Sequence, residues 1–314
     1  MRHEDLVLST VESRKAAAHS SVAASWSRSV QRYGLDPSGK RCSDIVDEQE
    51  LSYRREAMEQ FLQIASPKLD RLFGLVSASG CAVFLTDNEG VILDQRCKEG
   101  DLNSFQSWGL MAGADWSEQS EGTNGIGTCI AEDRSLIIHR DQHFFSKNTA
   151  MSCIDTPVYG SDGRIMGALN ISSARADQTA EINKMIAAMV SQSAKQIESD
   201  NFRATFSGAR ITLLNTGDTE KNALIAIDTD DVAIGATRDA RQLFGWEKFG
   251  EFAPMAARDI FGGSDDKLEA FDRAQRAAMV RALTRSSGNV SQAARALNIG
   301  RATMYRRMKR FGLI

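Results

Sequence analysis

The sequence predicts an α+β chain of several domains that ends in an all-helical segment, residues 267–314, and three observations support this. The 314 residues exceed what one hydrophobic core usually holds, and their 42% apolar content leaves little room for extensive disorder. Before residue 262, short apolar runs alternate with stretches of helical periodicity. The charge is also divided: residues 267–314 contain eleven Lys and Arg against two Asp and Glu, whereas the rest of the chain is acidic.

Composition excludes several classes of protein. No run approaches about 18 consecutive apolar residues, and the N-terminus mixes charged with polar residues, so we expect a cytoplasmic chain with no membrane partner. The cysteines form no C-x-x-C pair, which argues against a disulfide framework and a structural zinc site. We expect reduced thiols at Cys42, Cys81, Cys97, Cys129 and Cys153.

Residues 1–64 are predicted to be an N-terminal helical region. The periodicity of its first helix ends where Gly34 and Pro37 interrupt the chain. Pro67, just beyond this region, is expected to separate two further helices. The predicted helices are residues 4–33, residues 48–64 and the stretch from Pro67 to Gly80.

Residues 65–205 are predicted to form an antiparallel sheet flanked by helices. Two apolar runs separated by Asp87-Asn88-Glu89-Gly90 are typical of a strand–turn–strand hairpin. Apolar positions at three- and four-residue spacing between residues 177 and 202 predict a long helix with one apolar stripe. The predicted strands are residues 81–86, 91–94, 127–131, 135–139, 152–159 and 165–172.

Residues 206–262 repeat the strand–turn–strand pattern on a smaller scale and end in a short helix. They are similar to a PAS-like core over residues 222–245, which implies a small α+β domain. The Gly/Ser/Asp cluster at residues 262–266 predicts the last domain boundary. The predicted elements are strands at residues 223–228 and 232–234 and a helix at residues 238–244.

Residues 267–314 predict a helix-turn-helix. A first helix over residues 267–284 is followed by a break and by a second helix at residues 290–297, whose Ala293 and Ala294 suit close helix packing. A tight turn follows at residues 298–300, where Gly300 is expected to supply a positive φ. The last helix has two faces: Met304, Met308 and Phe311 on one side, and Thr303, Arg306, Arg307 and Arg310 on the other.

The run from Gly288 to Lys309, including Asn289-Val-Ser291-Gln-Ala-Ala and Gly300-Arg-Ala-Thr303-Met-Tyr305-Arg-Arg, resembles the helix-turn-helix of the Fis family. The resemblance implies a dimer that places its last helix in the major groove of double-stranded DNA, where Arg can read guanine edges. The alternative interpretation is structural: a solvated basic helix that closes a domain. The expected DNA-contacting residues are Asn289, Ser291, Arg301, Thr303, Tyr305, Arg306, Arg307 and Arg310.

The segments Trp116–Thr128, Cys153–Pro157 and Gly167–Ser172, together with Ser25-Trp26-Ser27-Arg28-Ser29, resemble the GAF sensor of acetoin-catabolism-type regulators. Many such regulators hold an ATPase domain between sensor and helix-turn-helix. Here no Lys precedes Ser or Thr, so the G-x-x-x-x-G-K-[ST] phosphate loop is missing, and residues 207–266 are too few for that domain. We therefore predict regulation without ATP hydrolysis.

A GAF sensor implies a small-molecule effector, of unknown identity and without a further cofactor. Apolar walls with a few placed polar groups are typical of such sites, although core packing explains the same residues equally well. A metal at His139, Asp141, His143 and Cys153, or redox sensing by the cysteines, is the less favoured interpretation. The candidate effector residues are Trp108, Trp116, Asn124, Cys129, Phe144, Cys153 and Asp155.

Two functions follow from these patterns. The first is an effector-responsive, sequence-specific, homodimeric transcription regulator of a catabolic operon, with RNA polymerase as a further partner. The second is a nucleoid-architectural or accessory DNA-binding protein whose GAF half only dimerises. No paired carboxylates, nucleophile–base set or cofactor fingerprint appears, so an enzyme is not predicted.

Overall fold

The computed structural model describes residues 2–13, 16–39, 43–173, 175, 178–214, 222–261 and 270–314, with side chains from residue 275 onward in the last range. Two compact units are present, Met1–Ala256 and Ala257–Ile314. Cys42 and the predicted boundary at residues 262–266 lie outside the described residues. Within the described ranges, no helix combines the length and apolar content needed to cross a bilayer.

The N-terminal region is helical, but its breaks differ from those predicted. The single helix expected over residues 4–33 is wrong, because Ser20 adopts an extended conformation and its hydroxyl caps a new helix by accepting the Ala23 N–H. The break expected at Pro67 is also wrong, since Phe61, Ala65 and Leu69 form one continuous buried stripe. The helices are α1 (His3–Glu12), α2 (Ala16–His19), α3 (Ser21–Gln31), α4 (Glu48–Ala57) and α5 (Glu59–Val76).

The first unit is built on a five-stranded sheet with strand order β2-β1-β5-β4-β3, in which all neighbours are antiparallel. The strands are β1 (Cys81–Thr86), β2 (Ile92–Arg96), β3 (Leu136–His139), β4 (Ser152–Tyr159) and β5 (Ile165–Ser173). The accompanying helices are α6 (Glu99–Ser107), α7 (Glu118–Glu121), α8 (Gly125–Glu132) and α9 (Ala180–Thr205), with 3-10 turns at Ser77–Ser79, Arg140–Gln142 and Ser146–Asn148.

The strand expected over residues 127–131 is wrong, because this segment is the helix α8. Asn124 caps it: its Oδ1 accepts the Gly127 N–H at 2.9 Å. A Cβ at Gly127 would lie 2.2 Å from the backbone nitrogen of Glu118, so this helix approaches its neighbour more closely than any other residue would allow. The apolar composition of this segment therefore predicts a strand, whereas the Asn124 cap and the close packing at Gly127 favour a helix.

Alternating residues divide the sheet into two faces. Face one, with Val83, Ile154 and Leu169, packs against α5 and α9. Face two, with Phe84 and Cys153, packs against an apolar layer on the α6–α8 side. That layer consists of Phe105, Leu110, Trp116, Ile126 and Cys129. Both faces are covered, so the predicted α+β sheet flanked by helices is confirmed.

A second antiparallel sheet follows α9 and has strand order β6-β7-β8-β9. The predicted hairpin and short helix are present, and the PAS-like assignment stays a prediction. We call these elements the small sheet segment: β6 (Arg210–Leu213), β7 (Leu224–Ile227), β8 (Val232–Ala236), α10 (Arg238–Leu243) and β9 (Met255–Ala256). Its apolar side packs on Phe202, near the end of α9.

The second unit is all-helical, as predicted. Its core joins Met279 of the long helix, Ala293 of the middle helix and Met304 of the last one. The two alanines at positions 293 and 294 are fully buried, which permits the close helix packing expected from the sequence. The helices are α11 (Ala257–Phe261), α12 (Ala270–Arg285), α13 (Val290–Ala296) and α14 (Arg301–Arg310).

Candidate functional site

The helix-turn-helix of the second unit is shaped by two asparagines. Asn289 caps α13, and its Oδ1 accepts the N–H groups of Ser291 and Gln292, each at 3.1 Å. In the turn, Asn298 has a φ of 52°, whereas Gly300 has a φ of −66° and is the residue that precedes α14. The expectation that Gly300 supplies the positive φ is wrong, because asparagine also tolerates that region and Asn298 directly follows Leu297, the C-cap of α13.

The last helix, α14, has one apolar face and one cationic face. Met304 and Met308 are buried in the unit's core, together with Phe311 just after the helix. The exposed polar and aromatic residues comprise three arginines, a lysine and a tyrosine, with Tyr305 40% exposed. They are Arg301, Tyr305, Arg306, Lys309 and Arg310; Thr303 and Arg307 are half-buried. A cationic surface therefore stands on a packed apolar support, which is the arrangement that a DNA-reading helix needs.

A row of buried polar side chains crosses face two of the first sheet. Asn170 donates from Nδ2 to Oδ1 of Asp155 at 2.8 Å, and Ser172 donates to Oδ1 of Asn170 at 2.8 Å. Sγ of Cys153 lies 3.3 Å from Ser172 Oγ and 3.3 Å from Nε2 of His143. These five residues, His143, Cys153, Asp155, Asn170 and Ser172, are called the polar row.

Burial disfavours the charged forms of the titratable members of the polar row. It raises the pKa of the Asp155 carboxyl well above its usual value and raises the pKa of the Cys153 thiol to about 12. It also lowers the pKa of His143 to about 4. Oδ2 of Asp155 is a buried atom without a hydrogen-bond partner within the described residues, and it faces Gly125 at the start of α8.

The candidate effector residues fall into three places. Trp108, Trp116, Cys129 and Cys153 belong to the apolar cluster of face two, and Trp116 donates from Nε1 to the Gly109 carbonyl at 2.9 Å. Asn124 and Asp155 lie at its polar edge, near the start of α8. Phe144 instead packs with Phe145 and with residues of the N-terminal helices, in a separate cluster. The structure thus brings six of the seven to one side of the sheet and leaves Phe144 apart.

Helix α3 contacts the same region through Ser25, Trp26 and Arg28, which belong to the segment singled out in the sequence. Arg28 forms an ion pair with the buried carboxylate of Glu118, from Nε to Oε2, at 2.9 Å. Ser25 contacts Glu118 and lies 2.7 Å from the hydroxyl of Thr123. Trp26 donates from Nε1 to the Gln142 carbonyl at 2.9 Å. Helix α3 is therefore attached to α7 and to the loops beside it, although only a resemblance in residues 25–29 indicated this from sequence.

The histidines and the cysteine weighed as metal ligands have other partners. Nδ1 of His139 lies 2.7 Å from Ser152 Oγ, and Nδ1 of His143 faces the Arg140 carbonyl at 2.9 Å. Across the part of the chain that the structure describes, no three His, Cys, Asp or Glu side chains gather as a metal-binding group. The cysteines at positions 81, 97, 129 and 153 are free thiols.

Comparison with known proteins assigns both units. The GAF domain family matches residues 60–198, which contain the five-stranded sheet together with α5 and most of α9. The Fis family of bacterial regulatory proteins matches residues 271–311, which contain α13 and α14. The chain therefore combines a GAF domain with a Fis-type helix-turn-helix, and it is homologous to acetoin catabolism regulators.

Two relatives show how similar this chain is to known regulators. The chain is 30% identical over 235 residues to the acetoin catabolism regulatory protein of Cupriavidus necator, covering 73% of this chain and 35% of the relative. It is 27% identical over 175 residues to the propane 2-monooxygenase operon transcriptional activator of Mycolicibacterium smegmatis, covering 54% and 28%. The chain thus spans 35% and 28% of the lengths of these two relatives.

A solved structure supports the fold. The E. coli DhaR(N)–DhaL complex contains a chain that matches with a TM-score of 0.53 and 15% sequence identity. The match covers 76% of this chain and 80% of that one. At this identity the likeness concerns the fold alone.

Proposed function

We propose that this chain is an effector-responsive, sequence-specific DNA-binding transcription regulator of a catabolic operon, and that it is not an enzyme. The observation that carries the proposal is α14, whose exposed Arg301, Arg306 and Arg310 stand on a packed apolar face inside the segment that matches the Fis family. The names of the relatives, which concern acetoin and propane operons, support a catabolic target. Two copies would place two such helices in successive major grooves, and RNA polymerase would be a further partner.

Regulation would proceed without ATP hydrolysis by this chain. The segment between the two family matches, residues 199–270, contains the small sheet segment, and it is much shorter than an ATPase domain. No Lys in the sequence is followed by Ser or Thr, as a phosphate-binding loop would require. Effector binding would therefore act by shifting the population of a DNA-competent arrangement.

The effector would bind on face two, at the polar row. Cys153 and Asp155 belong to the polar row, and Trp116, Cys129 and Asn124 lie on the same face. Trp108 packs against the apolar cluster of that face, and Phe144 lies in a separate cluster. Because burial disfavours the charged forms of Asp155, Cys153 and His143, a charged ligand would meet no compensating charge there. In its protonated form Asp155 would offer a donor at Oδ2, which favours an uncharged molecule with a hydrogen-bond acceptor.

The test is binding of the full chain to DNA from upstream of its own and neighbouring genes, compared with random DNA at one physiological salt concentration. A preference of roughly a thousandfold supports a specific operator, and near-equal binding supports the architectural alternative.

Arg306→Ala should relax base preference at one position and cost about 1 to 3 kcal/mol, whereas Arg310→Ala should weaken all sequences alike. Arg164→Ala, in the first unit, is the matched control, since its side chain is 67% exposed there.

A further inference from the structure

A cleft of about 270 Å³ lies between the GAF domain and the small sheet segment, inside the first unit. The end of β4 and the loop after α8 form one wall, the middle of α9 forms another, and α10 forms the third. Its charged lining is balanced, with three acids and three bases. These residues are Asp133, Glu198, Asp239, Lys195, Arg238 and Lys248. Contact between the two parts is therefore electrostatic along this side.

Two ion pairs cross the cleft. Nζ of Lys195, on α9, lies 2.8 Å from Oδ2 of Asp239 on α10. Arg238, also on α10, pairs with Asp133 of the GAF domain, and its guanidinium carbon lies 4.2 Å from the ring centroid of Tyr159. Both cations are largely covered, with Arg238 12% and Lys195 23% exposed. The pairs are therefore shielded from solvent and sensitive to any added or removed charge.

Apolar and polar contacts also join the small sheet segment to the GAF domain, among them a hydrogen bond of 2.9 Å from Nδ2 of Asn222 to the Lys195 carbonyl. Phe202 and Phe206 at the end of α9 pack under β7, which forms the apolar anchor. Elsewhere, Gly250 donates its N–H to the Asp162 carbonyl at 2.9 Å, and Arg238 donates from Nη1 to the Gly163 carbonyl at 3.0 Å. The apolar contacts thus lie at the end of α9, whereas the contacts along the cleft are polar. Because polar contacts can exchange with water, the cleft can open by rotation about the end of α9.

Glu198 is the group in this cleft that can change its charge near neutral pH. Its Oε1 accepts the Tyr159 N–H at 3.1 Å, and its Oε2 lies 3.8 Å from Nζ of Lys195. Burial raises the pKa of Glu198 to about 7, against the opposing effect of Lys195. The charged groups that face it are Lys195 on its own helix, Arg238 and Asp239 on α10, Asp133 after α8 and Lys248 after α10, with the phenol of Tyr159.

We propose that this cleft is a proton-responsive contact, in which uptake of a proton by Glu198 holds the GAF domain and the small sheet segment together and its ionisation favours their separation. When the cleft opens, the carboxyl of Glu198 becomes exposed and its pKa returns to the ordinary value for Glu. The closed form therefore binds a proton more readily than the open form. The free energy of closing the cleft therefore becomes more favourable as the pH falls below about 7. It stops changing once the pH is below the ordinary pKa of Glu. The proposal does not depend on DNA binding.

The experiment is amide hydrogen exchange on the full chain, with the Gly250 N–H as the reporter because its partner, Asp162, lies across the contact. Corrected for intrinsic rates, the protection of this amide should rise about tenfold from pH 8 to pH 6. In Glu198→Gln, which carries no charge at either pH, protection should be high and equal at both. Glu181→Gln, in the exposed first turn of the same helix, should behave like the unchanged chain.

The β5 amide of Ile171, which bonds within the GAF sheet, is the internal reference for global unfolding. Protection of Gly250 that is the same at pH 6 and pH 8 in the unchanged chain overturns the proposal, and so does Glu198→Gln protection that is no higher than in the unchanged chain at pH 8. The first result needs no variant, so the test stands even where Glu198→Gln fails to fold. Neither result bears on operator binding, which is measured separately.

Discussion

At the scale of single residues, the start of α8 is a tightly packed point of the GAF domain. A Cβ at Gly125 would lie 1.9 Å from Oδ2 of Asp155 and 2.6 Å from Cβ of Cys153. We expect Gly125→Ala to lower the free energy of unfolding by about 2 kcal/mol, because buried neighbours must move. Urea unfolding measures this. Gly74→Ala in α5, where nothing lies within 4 Å of the added Cβ, should instead raise it by about 0.5 to 1 kcal/mol.

His143 should make stability depend on pH. Burial lowers its pKa to about 4, so between pH 6.5 and pH 4 the unfolded chain binds a proton that the folded chain does not. The free energy of unfolding contributed by His143 is therefore present above pH 6.5 and is lost as the pH falls towards 4. Between pH 7 and pH 5 this loss is about 2 kcal/mol.

The measurement is urea unfolding at pH 7 and pH 5 for the unchanged chain and for His143→Gln. The difference between the two pH values should be smaller in the variant by the amount due to His143. His19→Gln, at an exposed position, is the control and should leave the difference unchanged. Equal pH dependence in His143→Gln and the unchanged chain would show that folding does not lower the pKa of His143.

At the scale of elements, helix α3 is attached to the GAF domain by a buried ion pair. Glu118 has a side chain 2% exposed, and Arg28 covers it while also pairing with Glu132 at 3.0 Å. We expect Arg28→Met to lower the free energy of unfolding by about 3 kcal/mol, because it leaves the Glu118 carboxylate buried beside hydroxyl groups alone.

Adding Glu118→Gln to Arg28→Met should recover part of that loss, since the buried charge is then removed as well. The control is Arg2→Met, whose pair with Asp5 is 80% and 47% exposed, so its loss should leave the free energy of unfolding almost unchanged. A loss no larger than that of Arg2→Met would mean that α3 is not held by this pair. Thermal and urea unfolding of the three variants give the comparison.

At the scale of the whole molecule, positive charge is concentrated at the C-terminal end: eleven Lys and Arg against two Asp and Glu over residues 267–314. If a dimer of this chain neutralises six or more phosphates, its DNA affinity should fall by about a thousandfold or more between 50 and 200 mM salt. Fluorescence anisotropy with the full chain measures the slope, and Arg310→Ala, which removes one phosphate contact from each subunit of a dimer, should reduce it by about two. An affinity that ignores salt would contradict a phosphate-binding role.

The sequence predicts part of the polar row, namely which of its residues share a face of the sheet. Cys153 and Asp155 stand two residues apart in one strand, as do Asn170 and Ser172 in the next, so alternation places each pair on one face. What alternation does not supply is the register that joins Asp155 to Asn170, because strand pairing depends on the turn and the neighbouring strands. The prediction for α8 failed for a similar reason, since its cap and its contact with α7 are tertiary.

The sequence by itself determined the class of fold, the segregation of charge, the two faces of α14 and the strands β1, β4 and β5, because hydrophobic periodicity and composition are local properties. Only the tertiary structure decided where helices end at Ser20, that α5 passes through Pro67, that Arg28 meets Glu118 and that Glu198 lies in a shared cleft. These depend on residues far apart in the chain, and burial, which sets both the pKa values and the pairings, exists only once the chain has folded.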